Sequence, residues 1–136
     1  MPFTNYYQEA LLNEWEGTAY AFPADLYVGL STSTPVEAGT GVTEPAGSGY
    51  ARVTVTSSAA GWTAATGGAS GSTISNAAAI TFPQASGAWG TVTYFVIYDA
   101  ATAGNMLAYG ALTTAQAIGS GNTPSFAAGA LTVTLD

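Results

Sequence analysis

The 136-residue sequence predicts a mainly-β fold, an antiparallel β-sandwich of Greek-key or jelly-roll type carrying one short N-terminal α-helix. Three observations predict it. The longest apolar run, Thr91-Val92-Thr93-Tyr94-Phe95-Val96-Ile97-Tyr98-Asp99, is almost wholly β-branched or aromatic, which suits a pleated surface and disfavours a helix. Shorter runs of the same character recur, each bounded by Gly, Pro, Ser or Asn. Apolar residues at helical spacing form a convincing stripe in one place only, the first fifteen residues. The length suits one domain, 1–136, with a core of its own.

Taken in order, Thr4 to Trp15 is the helix. Asn5 is placed to cap it, and Gln8 stands at capping-box distance. Tyr7, Leu11 and Trp15 recur every four residues, Leu12 widens the stripe, and Gly17 stops it. Residues 1–17 either pack that stripe on their own sheet or act as an arm docked on a neighbouring subunit. Three turns are marginal in water, so the stripe needs burial somewhere.

Asp25 to Ser31 is the first strand, with Leu26, Val28 and Leu30 inward. Residues 32–49, rich in Thr, Ser, Pro and Gly, form a long surface loop, functional or mobile, whose Glu37 and Glu44 are expected to be solvated. Tyr50 to Thr56 is a second strand. It carries Arg52, the sole cation, which should pair with an acid of this subunit or a neighbour. Ala64 to Ser72 is low-complexity sequence with little to order it, and its glycines lack the Lys and helix of a phosphate loop.

Ala77 to Phe82 is a third strand, ended by Pro83. The long run Thr91 to Asp99 is the spine. On period two, Val92, Tyr94, Val96 and Tyr98 share one face and Thr93, Phe95 and Ile97 the other, so both faces should be covered. A turn at Ala-Thr-Ala-Gly-Asn leads to the strand Met106 to Leu112, a clear hairpin. Thr113 to Pro124 loops over, and Ala130 to Leu135 closes the chain with Leu131, Val133 and Leu135 inward. Six strands are read in this way, with one or two more in the gaps.

Composition then excludes function classes. Charged residues make up 7% against the usual ~25%, and eight acids face one base, giving a net charge of −7. Nucleic-acid binding needs clustered Lys and Arg, and anionic membranes need the same, so neither partner is expected. His, Lys and Cys are absent. That removes the usual general base, the Schiff-base amine, the thiolate and the imidazole or thiolate metal ligands. The acids show neither a paired nor a calcium-loop spacing, so no catalytic residue, cofactor or metal is expected. No basic n-region or apolar h-region opens the chain, which is expected to be cytosolic when made.

Two non-enzymatic classes remain: a coat or decoration subunit, and a carbohydrate- or cell-surface-binding module. Trp62 and Trp89, both beside glycine turns, are the candidates for exposed stacking. Tyr7, Leu11, Trp15, Arg52, Trp62 and Trp89 are together the candidate interface residues.

A series of segments carries a family resemblance. It comprises Leu26-Tyr27-Val28-Gly29-Leu30-Ser31-Thr32-Ser33-Thr34-Pro35, Gly49-Tyr50-Ala51-Arg52-Val53, Ile80-Thr81-Phe82-Pro83 and Trp89-Gly90-Thr91-Val92. Tyr98-Asp99-Ala100, Gly110-Ala111-Leu112 and Phe126-Ala127-Ala128-Gly129-Ala130-Leu131 complete it. In this order the series resembles a family of small tailed-bacteriophage virion structural proteins. The resemblance implies a virion location and no catalytic residues. Some such proteins are tail or tail-fibre proteins, and others decorate or cement the head.

A host-recognising fibre tip usually belongs to a longer chain with a shaft and a trimerisation stretch, which favours the head. The expectation is therefore a capsid decoration or cement subunit held by apolar contacts to the major capsid protein or other virion proteins. Edge strands without lysine guards favour a homo-oligomer. The alternative is a tail or tail-fibre protein, with a carbohydrate-binding module as one form of it.

Overall fold

The computed structural model describes residues 3–135; Met1, Pro2 and Asp136, at the ends of the expected domain, lie outside the described residues. Helix α1 spans Asn5–Asn13 and runs into a 3-10 turn, Glu14–Glu16. Nine strands follow among the described residues: β1 Asp25–Ser31, β2 Val53–Thr56, β3 Thr66–Gly68, β4 Gly71–Ser75, β5 Ile80–Thr81, β6 Gly90–Tyr98, β7 Met106–Ile118, β8 Ser125–Phe126 and β9 Thr132–Leu135. They form three antiparallel sheets, ordered β2-β1-β6-β7, β3-β4-β9 and β5-β8. The fold is mainly β with one N-terminal helix, as the sequence predicts. No helix among the described residues is long and apolar enough to cross a membrane.

The spine is β6, flanked by β1 and β7. Leu26, Val28 and Leu30 of β1 join Val55 of β2 and Phe95 and Ile97 of β6 in the main core, which also takes in Ile80, Phe82, Leu131 and Val133 from the other sheets and their connections. The opposite face of β6 carries a smaller cluster of Val96, Tyr98 and Met106, covered by Tyr27, Val42 and Tyr109. Both faces are thus covered, and Val42 of the long loop supplies part of the second cover.

Strict alternation fails at one place. Val92 lies in the main core with Phe95, not with Val96, because the β6–β7 register breaks between Val92 and Tyr94. Val92 pairs with Gln116 but Tyr94 with Ala111, so β7 bulges, and the face inverts locally. Gly110, opposite Phe95, makes room for its ring: a Cβ there would stand 2.5 Å from Phe95 Cζ.

Other expectations need correction. The segment 113–118, expected to loop over, continues β7 and pairs with the start of β6, Gly90 opposite Ile118. The low-complexity stretch forms the β3–β4 hairpin, because β9 supplies a partner for β4 through Ser72 to Ser75. The strand expected over Ala77 to Phe82 shrinks to Ile80–Thr81, and that over Tyr50 to Thr56 begins at Val53. The 32–49 segment has no strand but is tied down by Thr32 N–H to Thr43 O at 2.9 Å, Val36 N–H to Thr40 O at 3.0 Å and Thr43 N–H to Ser31 Oγ at 3.1 Å.

Candidate functional site

The N-cap of the helix is Thr4, not Asn5, and the helix proper begins at Asn5. Thr4 has extended backbone and its hydroxyl accepts from the Tyr7 N–H, as an N-cap does. Thr4 is fully buried, and its hydroxyl donates to the Met106 carbonyl while its N–H donates to Leu107 O at 2.9 Å. Asn5 N–H donates to Glu37 O at 2.7 Å. Gln8 reaches back to the carbonyl of Phe3, at 2.7 Å, in place of the expected capping box. The helix is therefore moored to the sheet and the long loop by its first turn.

Its stripe is only partly used. Tyr7 packs against Phe3, Tyr20 and Phe22, with ring centroids at 4.7, 5.6 and 6.1 Å. Leu11 is half-buried. Trp15 is 89% exposed and Leu12 62%, and α1 has no buried residue at all. Of the two readings of the stripe, packing on its own sheet accounts for Tyr7 and Leu11 and leaves Leu12 and Trp15 open to solvent. Gly17, at φ 97°, ends the segment in the left-handed region.

Beside Tyr7 opens an apolar groove of about 710 Å³, walled by Phe3, Tyr7, Phe22, Leu26, Trp62 and Val133 among others. It lies where the N-terminal aromatic group meets the main core. Trp62, expected to be an exposed stacking residue, is 8% exposed, and its Nε1 finds no acceptor among the described residues. Trp89, expected likewise, is 5% exposed; its Nε1 donates to Ser48 O at 2.9 Å, and Tyr50 meets it edge-on at 5.2 Å. Of the glycines that suggested exposed turns, Gly61 admits close backbone and Gly87 leaves room for the Ser48 side chain. Gly61 lies so near Thr56 O that a Cβ would overlap it, and Trp62 is drawn inward behind it.

Arg52 finds its acid within the chain. Its Nη2 donates to Glu44 Oε2 at 2.7 Å and its Nε to Oε1 at 3.0 Å, a two-point fork. Nη1 donates to the carbonyls of Ala100 and Ala103 at 2.7 and 2.8 Å, and the guanidinium lies 3.6 Å above the Tyr98 ring. Tyr50 Oη donates to Glu44 Oε1 at 2.6 Å and accepts from Leu30 N–H at 2.9 Å. Gly29 leaves room for this group, since a Cβ there would stand 2.7 Å from both Glu44 Oε1 and Tyr50 Oη. Glu44 is thus a half-buried partner and not the solvated loop carboxylate expected. The sole cation of the chain is consumed in tying the long loop and the 99–105 turn to the sheet. Among the described residues no three carboxylates gather as metal ligands would.

The family described as Podophage GP4 fiber I protein gp80 matches residues 2–134. The chain belongs to that family. It is accordingly a structural protein of a tailed-phage virion, in line with the resemblance carried by its strands. Among curated proteins, none matches the chain. The family is one of fibre proteins, which favours the tail-fibre alternative over the head cement subunit expected from the sequence.

This fibre-family fold also carries a pH signature. Burial, then the neighbouring Tyr6 and Asp99, push the Tyr20 hydroxyl up to about 12. Burial, then the bond to Glu44, raises Tyr50, and burial raises Tyr7, Tyr98 and Tyr109. A phenol raised in the folded state favours the fold while it is protonated. That stability is complete below the unfolded value of 10.0 and is lost as pH rises through the folded value, about 12 for Tyr20. The melting temperature is expected to hold up to about pH 9 and to fall steeply from about 10 upward. Absorbance of tyrosinate at 295 nm should rise with the loss of β signal. Ionisation of Tyr7, Tyr20, Tyr50, Tyr98 and Tyr109 near 10 in a folded protein would contradict this.

Proposed function

We propose that this chain is a non-enzymatic structural subunit of the fibre apparatus of a podophage virion, joined to other virion proteins through apolar and hydrogen-bonded contacts. The match of residues 2–134 to the fibre family carries the reading. The absence of His, Lys and Cys supports a role without turnover, and 48% hydrophobic residues support assembly through uncharged contacts. In this reading the β sheets form a stiff body. The Arg52–Glu44 tie fixes its longest loop, and the N-terminal helix presents a face for assembly. Several copies per fibre are part of the proposal, since exposed edge strands carry no lysine to discourage pairing.

Gold-labelled antibody against the chain, applied to intact particles, tests this. Label on the fibres or their attachment to the tail is the expected result. Label spread over the head shell would return the reading to a capsid decoration subunit. A glycan-binding role for Trp62 or Trp89 would require rings open to solvent, and these two are buried.

A further inference from the structure

We infer that the outward face of α1 and its 3-10 turn, centred on Leu12 and Trp15, docks into an apolar pocket edged by lysine or arginine on a different protein of the virion. The inference rests on the proposed fibre role and adds the surface and the chemistry of its partner. Four observations lead to it.

The first is unused apolar surface. Leu12 and Trp15, three residues apart on one continuous helical segment, are 62% and 89% exposed. Large apolar side chains left out singly are ordinary, but a short helix with no buried residue that ends on an open indole is not. The second is presentation. Thr4 and Asn5 moor the first turn to Met106, Leu107 and Glu37, so the face stands at a fixed place on the body.

The third is charge. Glu9 and Glu16 share the outward face with Leu12, at spacings of three and four residues, and Glu14 adjoins Trp15. Glu14 and Glu16 sit at the carboxyl end of the helical segment, where the peptide dipoles are already negative and a carboxylate is disfavoured. The last turn holds no basic residue to offset them. A cation brought by a partner relieves both the like charges and the dipole.

The fourth observation decides which partner. The chain has one Lys or Arg in all, and that residue, Arg52, is bonded to Glu44 and two carbonyls. A second copy therefore has no basic side chain to offer. The complement must come from another protein, with an apolar pocket for the indole and basic side chains around it.

Phage produced with variant chains supply the test. Leu12→Ser/Trp15→Ser and, separately, Glu9→Gln/Glu14→Gln/Glu16→Gln are expected to fold with wild-type melting temperatures, because these side chains are open to solvent. Each is expected to reduce incorporation into particles at least 10-fold. Zero-length carbodiimide cross-linking of wild-type particles, which joins carboxylates to amines, is expected to link Glu9, Glu14 or Glu16 to a lysine of another protein. Since this chain has no lysine, a link to a lysine side chain is always intermolecular and heterologous.

Wild-type incorporation of both variants, or cross-links confined to Asp25, Glu37 and Asp99, overturns the inference. If the serine variant fails to fold, the glutamine triple alone decides. Gold label on the head shell together with helix cross-links would sink the fibre role but keep the docking face. Label on fibres with both variants incorporated normally would do the reverse.

Discussion

Replacing Asn76 by Ala is expected to lower the stability of the protein by about 3–4 kcal/mol, and its melting temperature by roughly 10–15 °C. Asn76 is 0% exposed and uses its whole amide. Its Nδ2 donates to Ala78 O at 2.8 Å and Ala127 O at 2.9 Å, and its Oδ1 accepts from Leu131 N–H at 2.9 Å. Its main chain adds a bond to Leu131 O at 3.2 Å and one from Gly129 N–H at 2.8 Å. One side chain thus holds the exit of β4 against the segment that carries Leu131 and Val133 into the core. Alanine removes three bonds and strands a buried N–H and two carbonyls, which is worse than never having had the pairs. Asn76→Asp is the discriminating control. It keeps the acceptor for Leu131 N–H but turns charge toward two carbonyl oxygens, so at neutral pH it should be at least as damaging as Ala and should recover on acidification. Urea midpoints for the two variants check this. A change below about 1 kcal/mol for Ala would mean that the surrounding backbone re-pairs without the amide.

Asn76 stands in the sequence as one polar residue in a run of Ser, Ala and Ile, and nothing local distinguishes it from a turn asparagine. Its importance comes from partners 51 and 55 residues away. The same division runs through the whole chain. Strands whose own residues alternate, such as β1 with Leu26, Val28 and Leu30 or β9 with Val133, are legible because period two is written in each of them. The β3–β4 hairpin is not, since Thr66-Gly67-Gly68 has no apolar pattern and is ordered by the neighbour it pairs with. Strand β7 past Leu112 is invisible for the same reason: its bulge breaks the period just where β6 resumes pairing.

The surface was legible in part. Trp15 belongs to a clear helical stripe, and whether that stripe is covered depends on tertiary reach, which periodicity does not encode. Trp62 and Trp89 looked exposed because glycines flank them, yet Gly61 and Gly87 serve close packing. Gly61 approaches the Thr56 carbonyl, and the Trp89 indole donates to the carbonyl of Ser48, 41 residues distant in sequence. Glycine signals a backbone that something approaches closely, and the approaching group can be water or the core.

The second large effect is expected at Arg52. Arg52→Met should cost on the order of 3 kcal/mol and lower the melting temperature by roughly 10 °C. The side chain is 6% exposed and Glu44 22%, so removing the guanidinium leaves a carboxylate that is largely out of water and short of its main partner. It also leaves the carbonyls of Ala100 and Ala103 without their donor and uncovers the Tyr98 ring. Arg52→Lys keeps the charge but not the fork. One ammonium cannot meet both carboxylate oxygens and both carbonyls from a single point, so an intermediate loss is expected. Glu44→Gln strands the cation in turn and should cost a similar amount, while Tyr50 keeps an acceptor in the amide oxygen.

The informative variant is the double change Arg52→Met/Glu44→Leu. If the pair is a buried unit, most of the cost of either single change comes from abandoning the other charge. The double variant should then be less damaged than the sum of the two single changes by about 1–3 kcal/mol. Strict additivity, or a loss below about 0.5 kcal/mol for Arg52→Met, would reduce the pair to an ordinary surface contact. Added salt should not reproduce the loss, because counterions screen exposed charges far more than buried ones. The consequence reaches the surface as well. A chain that spends its only Lys or Arg on anchoring its longest loop leaves acids as the exposed charged side chains among the described residues, and breaking the Arg52–Glu44 pair would loosen the loop that the pair anchors.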